Sequence, residues 1–312
     1  MKRDEAHLKK ISSPFPYRGE GDKGLPAAQG FGRWGIRLPI SSNNEKRGEM
    51  NNLVKIYARP KLNSPNMLAA WPGIGNVAVI VATYLQRKMG FKELGEVVAS
   101  NFFDPIGVVV RDNVVEAPQF PQNKFYYWKN KGGGSDVILF IGDDQPAAKG
   151  YDLANCVLDV GLRFQVKRIY TCAATVTRIH HTEQPRAWGV ATSQPVAEDL
   201  EAQDLVQRGN LQIAGLNGLL LGVAKERGIE GVCLLGEVPM YATRVQNPMA
   251  ALAIVNVLTK ILGIEIDIAE LAQLAQETGE RIKQVAAEAM GEYIDYFTEP
   301  IWEQEEQEEE EE

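Results

Sequence analysis

The stretch AAWPGIGNVAVIVATYL, Ala69–Leu85, joins an apolar segment to a helical pattern through a short glycine-rich turn. The residues that precede Trp71 are continuously apolar, as in strands that are covered on both faces of a sheet. The pattern after Asn76 is typical of a helix that packs on such a sheet. Between this strand and this helix, Gly73 and Gly75 lie in a connection so short that it forms a tight turn. The stretch therefore predicts one strand–turn–helix unit of an α/β fold.

The same turn has the spacing of a dinucleotide-binding loop, because Gly73, Gly75 and Ala78 complete a G-x-G-x-x-A pattern. That fingerprint also needs an acidic residue at the carboxyl end of the following strand, where it contacts the ribose. Glu93 and Glu96 have roughly the right separation, but they lie at the start of the next apolar strand. We therefore interpret the turn as a corner in which backbone crowding favours glycine, and we predict no cofactor.

Short apolar strands alternate with helical patterns from residue 53 to residue 240. Strands are predicted at Leu53–Ala58, Met67–Trp71, Val97–Asn101, Gly107–Arg111, Phe125–Trp128, Val137–Ile141, Arg168–Cys172, Val190–Thr192, Gln212–Ala214 and Gly231–Leu235. Helices are predicted at Asn76–Met89, Tyr151–Gln165, Glu198–Gln207 and Asn217–Arg227. This alternation indicates an α/β fold with a mostly parallel sheet flanked by helices.

One segment departs from this alternation. In DPIGVVVRDNVVEAP, two short apolar runs flank Asp112 and Asn113. Such a pattern, with turn-forming residues between two β-prone runs, predicts an antiparallel hairpin beside the main sheet.

Four segments of different composition divide the chain. Residues 1–49 are rich in glycine and proline without a helix or strand period, and we predict a disordered N-terminal extension. Residues 50–264 form the predicted α/β core, which ends in a helix that begins at an Asn-Pro cap. Residues 265–302 carry apolar side chains at steps of three and four, as in a long amphipathic helix. Residues 303–312, EQEEQEEEEE, are predicted to be a disordered acidic tail.

Charge and cysteine content exclude several classes of partner. Eight of the 41 acidic residues lie in the tail, so the other 302 residues balance 33 acidic against 33 basic groups. Nucleic-acid binding needs a basic surplus, so we predict no nucleic-acid partner.

No apolar run approaches the roughly 20 residues that span a bilayer, and the N-terminus lacks the apolar core of a secretory signal. Cys156, Cys172 and Cys233 lie in apolar runs without metal-binding spacing, so we predict buried reduced thiols in a cytoplasmic protein.

Polar side chains follow the apolar runs where parallel α/β sheets bind ligands, beyond the carboxyl ends of the strands. These candidate ligand-binding residues are Asn76, Asp143, Asp144, Gln145, Asn217 and Glu237. Each also has a structural interpretation, such as a corner residue or an acidic turn before a helix. The chain has neither a G-x-S-x-G nor a P-loop motif, and the adjacent His180 and His181 lack zinc-ligand spacing. We therefore assign no catalytic residue and no metal site, although a general-base role for one of these histidines stays open.

Three blocks together resemble the proteasome assembly chaperone family, in its second-subunit-like branch and with a bacterial-type pattern. The blocks are PGIGNVAVIVATYL, GDDQPAAKGYDLANCVLDV and the longest and most specific, IAGLNGLLLGVAKERGIEGVCLLGEVPMYATRVQNPMAALAIVNVL. The resemblance runs from about Ile56 to Leu274. It implies a phosphorylase/hydrolase-like α/β core, self-association and binding of another protein complex. It also implies that the glycine turn is a strand-to-helix corner with no nucleotide.

The chain departs from that family at its end. Archaeal relatives that engage the proteasome carry a terminal hydrophobic–Tyr–any-residue motif, whereas this sequence ends in Glu310–Glu312 and holds the tyrosines of EYIDYF internally, at Glu292–Phe297. Docking by that terminal route is therefore not predicted. The favoured hypothesis is a non-enzymatic, self-associating protein of the assembly-chaperone kind. The alternative is a small-molecule enzyme, hydrolase- or phosphorylase-like, with a site at the carboxyl ends of the core strands.

Overall fold

The computed structural model describes residues 53–205 and 210–298, which belong to one compact unit. Its strands are β1 (Val54–Ile56), β2 (Asn66–Ala70), β3 (Lys92–Val97), β4 (Val110–Arg111), β5 (Val114–Val115), β6 (Asn123–Trp128), β7 (Val137–Gly142), β8 (Ile169–Thr177), β9 (Ala187–Ala191) and β10 (Gly231–Pro239). Its α-helices are α1 (Val77–Met89), α2 (Gly150–Arg163), α3 (Gln194–Glu201), α4 (Gly215–Glu226), α5 (Pro248–Leu262) and α6 (Ala269–Thr298). The predicted α/β fold class is confirmed.

Eight of these strands form one sheet in the order β1-β3-β6-β7-β2-β8-β10-β9. The pairs β7–β2, β2–β8 and β8–β10 are parallel, whereas the pairs toward both edges are antiparallel. The sheet is therefore mixed, and the expectation of a mostly parallel sheet holds for its four central strands. Single α-helices link β2 to β3 and β7 to β8, and the strands of each pair run in the same direction, whereas loops alone join β6 to β7 and β8 to β9 and reverse the chain. The connection from β9 to β10 also reverses the chain, although it contains α3 and α4.

Alternate residues of the central strands pack against opposite layers of helices. In β2, Leu68 and Ala70 face the layer of α1, α3, α5 and α6, whereas Met67 and Ala69 face the layer of α2 and α4. Strand β7 is buried at all six positions, as its continuous VILFIG run predicts. The central strands are therefore covered on both faces, and their carboxyl ends open onto the edge where the candidate site residues lie.

Most predicted elements lie within a few residues of the observed ones, but two predicted strands are wrong. Strand β3 ends at Val97, and residues 99–101, predicted as part of the strand Val97–Asn101, form a 3-10 turn. The segment Gln212–Ala214 is not a strand either, since it leads directly into α4. A short apolar run becomes a strand only when a neighbouring strand pairs with it, and the local sequence does not contain that information.

The predicted hairpin is confirmed, with shorter strands than expected. Val110 of β4 lies opposite Val115 of β5 in an antiparallel pair, separate from the main sheet. Asp112 and Asn113 between them have φ of 51° and 63°. Positive φ at both central residues is the conformation of the two-residue turns that suit the twist of a hairpin.

The C-terminal region is helical, as predicted. The Asn247 side chain caps α5 by accepting a hydrogen bond from Ala250 N at 2.9 Å, and Gly263 ends that helix with φ of 61°. Helix α6 then continues for 30 residues, through Gly279 and Gly291. It exceeds the size of a typical globular helix, and its first half buries apolar side chains against the body.

Several predictions fall outside the described residues. They are the extension at residues 1–49, the acidic tail at residues 303–312, and the side chains of residues 288–298 at the end of α6. Within the described ranges, no helix combines the length and the apolar character that crossing a membrane requires.

The three cysteines are free and buried, as predicted. Burial raises the pKa of Cys156 and of Cys233 to about 12, and the Asp159 carboxylate adds to the effect at Cys156. Burial also raises the pKa of Cys172 well above its usual range. At neutral pH these thiols therefore stay protonated and pack as small apolar side chains.

Candidate functional site

The glycine turn leads from β2 into α1 through one 3-10 turn, Ile74–Asn76. Gly75 has φ of 61° and Asn76 has φ of 51°, so both residues are left-handed. The Asn76 N–H donates to the Gly73 carbonyl oxygen at 2.9 Å, and the Asn76 side chain makes no capping hydrogen bond to α1. Asparagine tolerates the left-handed conformation better than most residues, so Asn76 suits the corner by its backbone.

Asn217, in the first turn of α4, holds the backbone at the end of β2. Its side chain is almost fully buried. The Oδ1 atom accepts a hydrogen bond from Trp71 N, and Nδ2 donates to the Trp71 carbonyl oxygen, both at 3.0 Å. One amide side chain therefore satisfies both backbone groups of a fully buried residue, as a neighbouring strand would do.

Gln145 makes a second bridge between the same turn and α4. Its Nε2 donates to the Pro72 carbonyl oxygen at 2.6 Å, and its Oε1 accepts from Leu216 N at 2.8 Å. The Leu216 N–H is one of the groups at the start of α4 that have no acceptor within the helix. Together, Gln145 and Asn217 fix the glycine turn against the amino end of α4.

Asp143 and Asp144 follow β7 directly and are exposed. The Asp143 carboxylate accepts from Gln122 N at 3.0 Å, and one Asp144 carboxylate oxygen accepts from Gln145 N at 2.7 Å. Strands β7 and β2 are parallel neighbours, and the helices that follow them, α2 and α1, cover opposite faces of the sheet. This edge is therefore a topological switch point, the usual place for a ligand in open α/β sheets.

Glu237 lies apart from the other candidates, on β10, two strands away from β2. Its Oε2 accepts from Arg186 N at 2.8 Å, and its own N–H donates to the Arg186 carbonyl oxygen at 3.1 Å. These bonds tie the chain just before β9 to β10. The structure thus gathers Asn76, Gln145 and Asn217 at the turn, places Asp143 and Asp144 after the adjacent strand, and leaves Glu237 elsewhere.

The hydrogen bonds of these candidates go mainly to backbone groups. Asn217, Gln145, Asp143, Asp144 and Glu237 each bind a backbone N–H, and the two amides also donate to backbone carbonyls. Among the described residues, no group of three or more His, Cys, Asp and Glu side chains could hold a metal ion. None of the six candidates lines any of three cavities in that part of the chain, with volumes of about 440, 630 and 1000 Å³.

A polar cluster that the sequence analysis did not assemble lies after β8. His181 Nδ1 and the Tyr241 hydroxyl are 2.9 Å apart, and His180 Nδ1 lies 2.7 Å from the Thr182 hydroxyl. Partial burial, aided by the adjacent His180, lowers the pKa of His181. His181 also lines the 630 Å³ cavity beside α5 and α6. Tyr241 lies 60 residues further along the chain, so no local spacing could link it to the histidines.

We expect Gly75→Val to lower the free energy of unfolding by about 3 kcal/mol, because left-handed strain and overpacking each cost roughly 1–3 kcal/mol. A Cβ at Gly75 would lie 3.0 Å from Asn247 Cβ and 3.4 Å from the Val245 carbonyl oxygen. Gly90→Val is the control, because Gly90 has φ of 67° but nothing within 4 Å of its added Cβ. Denaturant unfolding should show the smaller loss for Gly90→Val; equal losses would mean that packing against Asn247 contributes nothing.

Known proteins resemble this chain both in sequence and in fold. Residues 67–286 match the model of the PAC2 family. The chain is 30% identical to PbaB of Pyrococcus furiosus, an archaeal proteasome activator, with a TM-score of 0.64 over 75% of this chain and 98% of that one. An uncharacterized protein of Methanocaldococcus jannaschii is 27% identical over 242 residues, which cover 75% of this chain and 89% of the relative.

A PAC2 family protein from Streptomyces avermitilis shares the fold, with a TM-score of 0.61 and 22% identity over 74% of this chain and 99% of that one. The match to the family model includes β2, the glycine turn, β7, α4, α5 and most of α6. It therefore spans both the central parallel strands and the hydrogen bonds that hold the corner. This chain belongs to the PAC2 family.

Proposed function

We propose that this chain is a non-enzymatic, protein-binding protein of the assembly-chaperone kind, which associates with its own copies. The observation that carries the proposal is the likeness to PbaB, at 30% identity over 98% of that chain. PbaB is a proteasome activator, and a second solved relative, PbaA of Pyrococcus furiosus, is a homolog of proteasome-assembly chaperone. The partner proposed for this chain is accordingly another protein complex in the cytoplasm, and the proteasome is the first candidate.

The hydrogen bonds at the switch point support this function over the enzymatic alternative. A small-molecule enzyme concentrates polar and titratable groups in one concave pocket. Here Asn217 and Gln145 bind backbone groups just before the glycine turn, and Glu237 binds a backbone N–H two strands away. Side chains used in this way stabilise a corner of the fold, and they leave few groups free to bind and convert a substrate.

The test is capture of the tagged full-length chain from its own cells under native conditions, with quantitative mass spectrometry. An equally tagged, unrelated α/β protein is the control for non-specific capture. We expect the subunits of one larger complex in fixed proportion to the chain. The purified complex and the purified chain should then form a joint peak in size-exclusion chromatography.

The variant Asp144→Asn distinguishes the two functions, because it removes an exposed carboxylate and keeps the side-chain shape. A protein-binding chain should capture the same complex in this variant. An enzyme would give a different set of results: no partner is captured with the chain, the wild-type protein converts a compound in a metabolite extract, and Asp144→Asn abolishes that conversion. These results together would contradict the proposal.

A further inference from the structure

Residues 104–120, which we call the arm, leave the core and return to it at β6. The buried rings of Phe102 and Phe103 anchor the outgoing end, and the buried Asn123 and Phe125 anchor the return. Between these anchors, residues 104–115 are exposed without interruption, and so are residues 117–120. The hairpin of β4 and β5 forms the tip of the arm.

The arm is apolar on both of its faces. Seven large apolar side chains are between 39% and 107% exposed, namely Ile106, Val108, Val109, Val110, Val114, Val115 and Phe120. Successive residues of an extended chain point to opposite sides, so the consecutive valines at positions 108, 109 and 110 present apolar surface in both directions. A hairpin that lay on its own body would bury one face; this arm buries neither.

The arm also exposes backbone groups that can pair. β4 and β5 pair only with each other, so the outer edge of each strand has no partner strand in the described chain. A two-stranded hairpin is marginally stable by itself in water. An exposed, apolar strand edge is a template for pairing with another chain. Both the side chains and the backbone of the arm therefore fit an interface.

The area of the arm matches what a stable dimer needs. The exposed surface of its seven apolar residues is on the order of 700 Å², close to the roughly 800 Å² that each partner buries in a standard interface. Ile106–Val110 contains no charged residue, which is typical of permanent interfaces between identical chains. If the apolar surface of the arm is always buried, its partner must always be present in equal amount, and a second copy of the chain meets that condition.

The charges at the tip fit pairing between identical arms. Arg111 contacts Glu116 of its own arm at 3.1 Å, and Asp112 follows Arg111 directly. A twofold axis brings the same patch of each copy together. The Arg111–Glu116 ion pair within each arm therefore lowers the charge repulsion between two identical arms that meet at the axis.

We propose that two copies of this chain associate arm to arm about a twofold axis, through the apolar side chains and free strand edges of residues 104–120. This inference rests on the self-association proposed above and assigns it a surface.

The first test is the mass of the full-length chain in solution. Light scattering and sedimentation are measured for the wild type, for the double variant Val110→Asp/Val114→Asp, and for Val176→Asp. Val176 is the matched control, an exposed valine at 43% on β8, outside the arm. We expect a wild-type dimer or a larger assembly, at least tenfold weaker association in the arm variant, and no change in Val176→Asp. Circular dichroism verifies that each variant is folded.

The second test is crosslinking at the tip. The three native cysteines are buried and their pKa values are raised, so they contribute little background. Under mild oxidation, Asn113→Cys should form a disulfide-linked dimer, and Lys131→Cys, in the exposed loop before β7, should not. A wild-type monomer would overturn both the arm inference and the proposed self-association. An oligomer that is unchanged in the arm variant, or that crosslinks equally through Lys131→Cys, would overturn the arm inference alone.

Discussion

Gly218→Ala is expected to lower the free energy of unfolding by about 3 kcal/mol, since overpacking against a rigid neighbour costs roughly 1–3 kcal/mol and occasionally more. Gly218 lies in the second turn of α4, where the chain segment before the helix folds back onto it. An added Cβ would collide with the Ile213 carbonyl oxygen, and it would lie 2.8 Å from the Ile213 carbonyl carbon. These are backbone atoms, so no side-chain rotation can relieve the collision.

Gly222→Ala, one turn further along the same helix, is the matched control. Nothing lies within 4 Å of an added Cβ at Gly222. Alanine is favoured over glycine in a helix by about 1 kcal/mol, so this variant should be more stable than the wild type. Urea unfolding of the two variants measures the difference. If Gly218→Ala is also stabilising, the close approach of Ile213 to α4 does not exist in solution.

Asn217→Leu is expected to lower the free energy of unfolding by about 3–4 kcal/mol, because leaving a buried backbone group without a partner costs roughly 1–3 kcal/mol. Leucine has the same branching at Cγ and is somewhat larger, but it has no polar atom. Both the N–H and the carbonyl oxygen of Trp71, a fully buried residue, would therefore lose the partner that Asn217 provides. Thermal and urea unfolding should both report the loss.

Asn256→Leu is the control, since Asn256 is a partly buried asparagine within α5, beside a surface cavity. A change there should stay within about 1 kcal/mol, as is usual away from buried polar networks. The comparison also distinguishes the two interpretations of Asn217. A stable Asn217→Leu variant that loses a bound small molecule would make Asn217 a ligand group, and the structural interpretation would then be wrong.

Local patterns were sufficient for most of the elements. The continuous apolar run VILFIG predicted a strand buried on both faces, and β7 is one. Asp112 and Asn113 predicted a hairpin because both tolerate positive φ, and both adopt it. Asn247 predicted the cap of α5, and its side chain accepts the expected hydrogen bond. Each of these features depends on residues close together in the chain.

Strand neighbours and directions depend on residues far apart, and the sequence patterns did not contain them. A run of apolar residues indicates that a strand is buried on both faces. It does not indicate which strand pairs with it or whether the two strands are parallel. Strand β2, near the start of the described chain, pairs with β7 and β8, and β9 pairs with β10 in the antiparallel direction. The mixed sheet was therefore visible only in the tertiary structure.

For the candidate site residues, too, some features depend on the local sequence and others on residues far apart in the chain. Their positions after apolar runs were readable in the sequence, because parallel strands place their carboxyl ends at one edge. Their partners were not, because Asn217 binds Trp71 from 146 residues away and Gln145 binds Pro72 from 73 residues away. The sequence by itself determined most of the elements and the family resemblance, since those depend on local pattern. Only tertiary packing decided that these amides hold a corner of the fold and that the arm stands free of its own body, since hydrogen-bond partners and burial are set by contacts between distant segments.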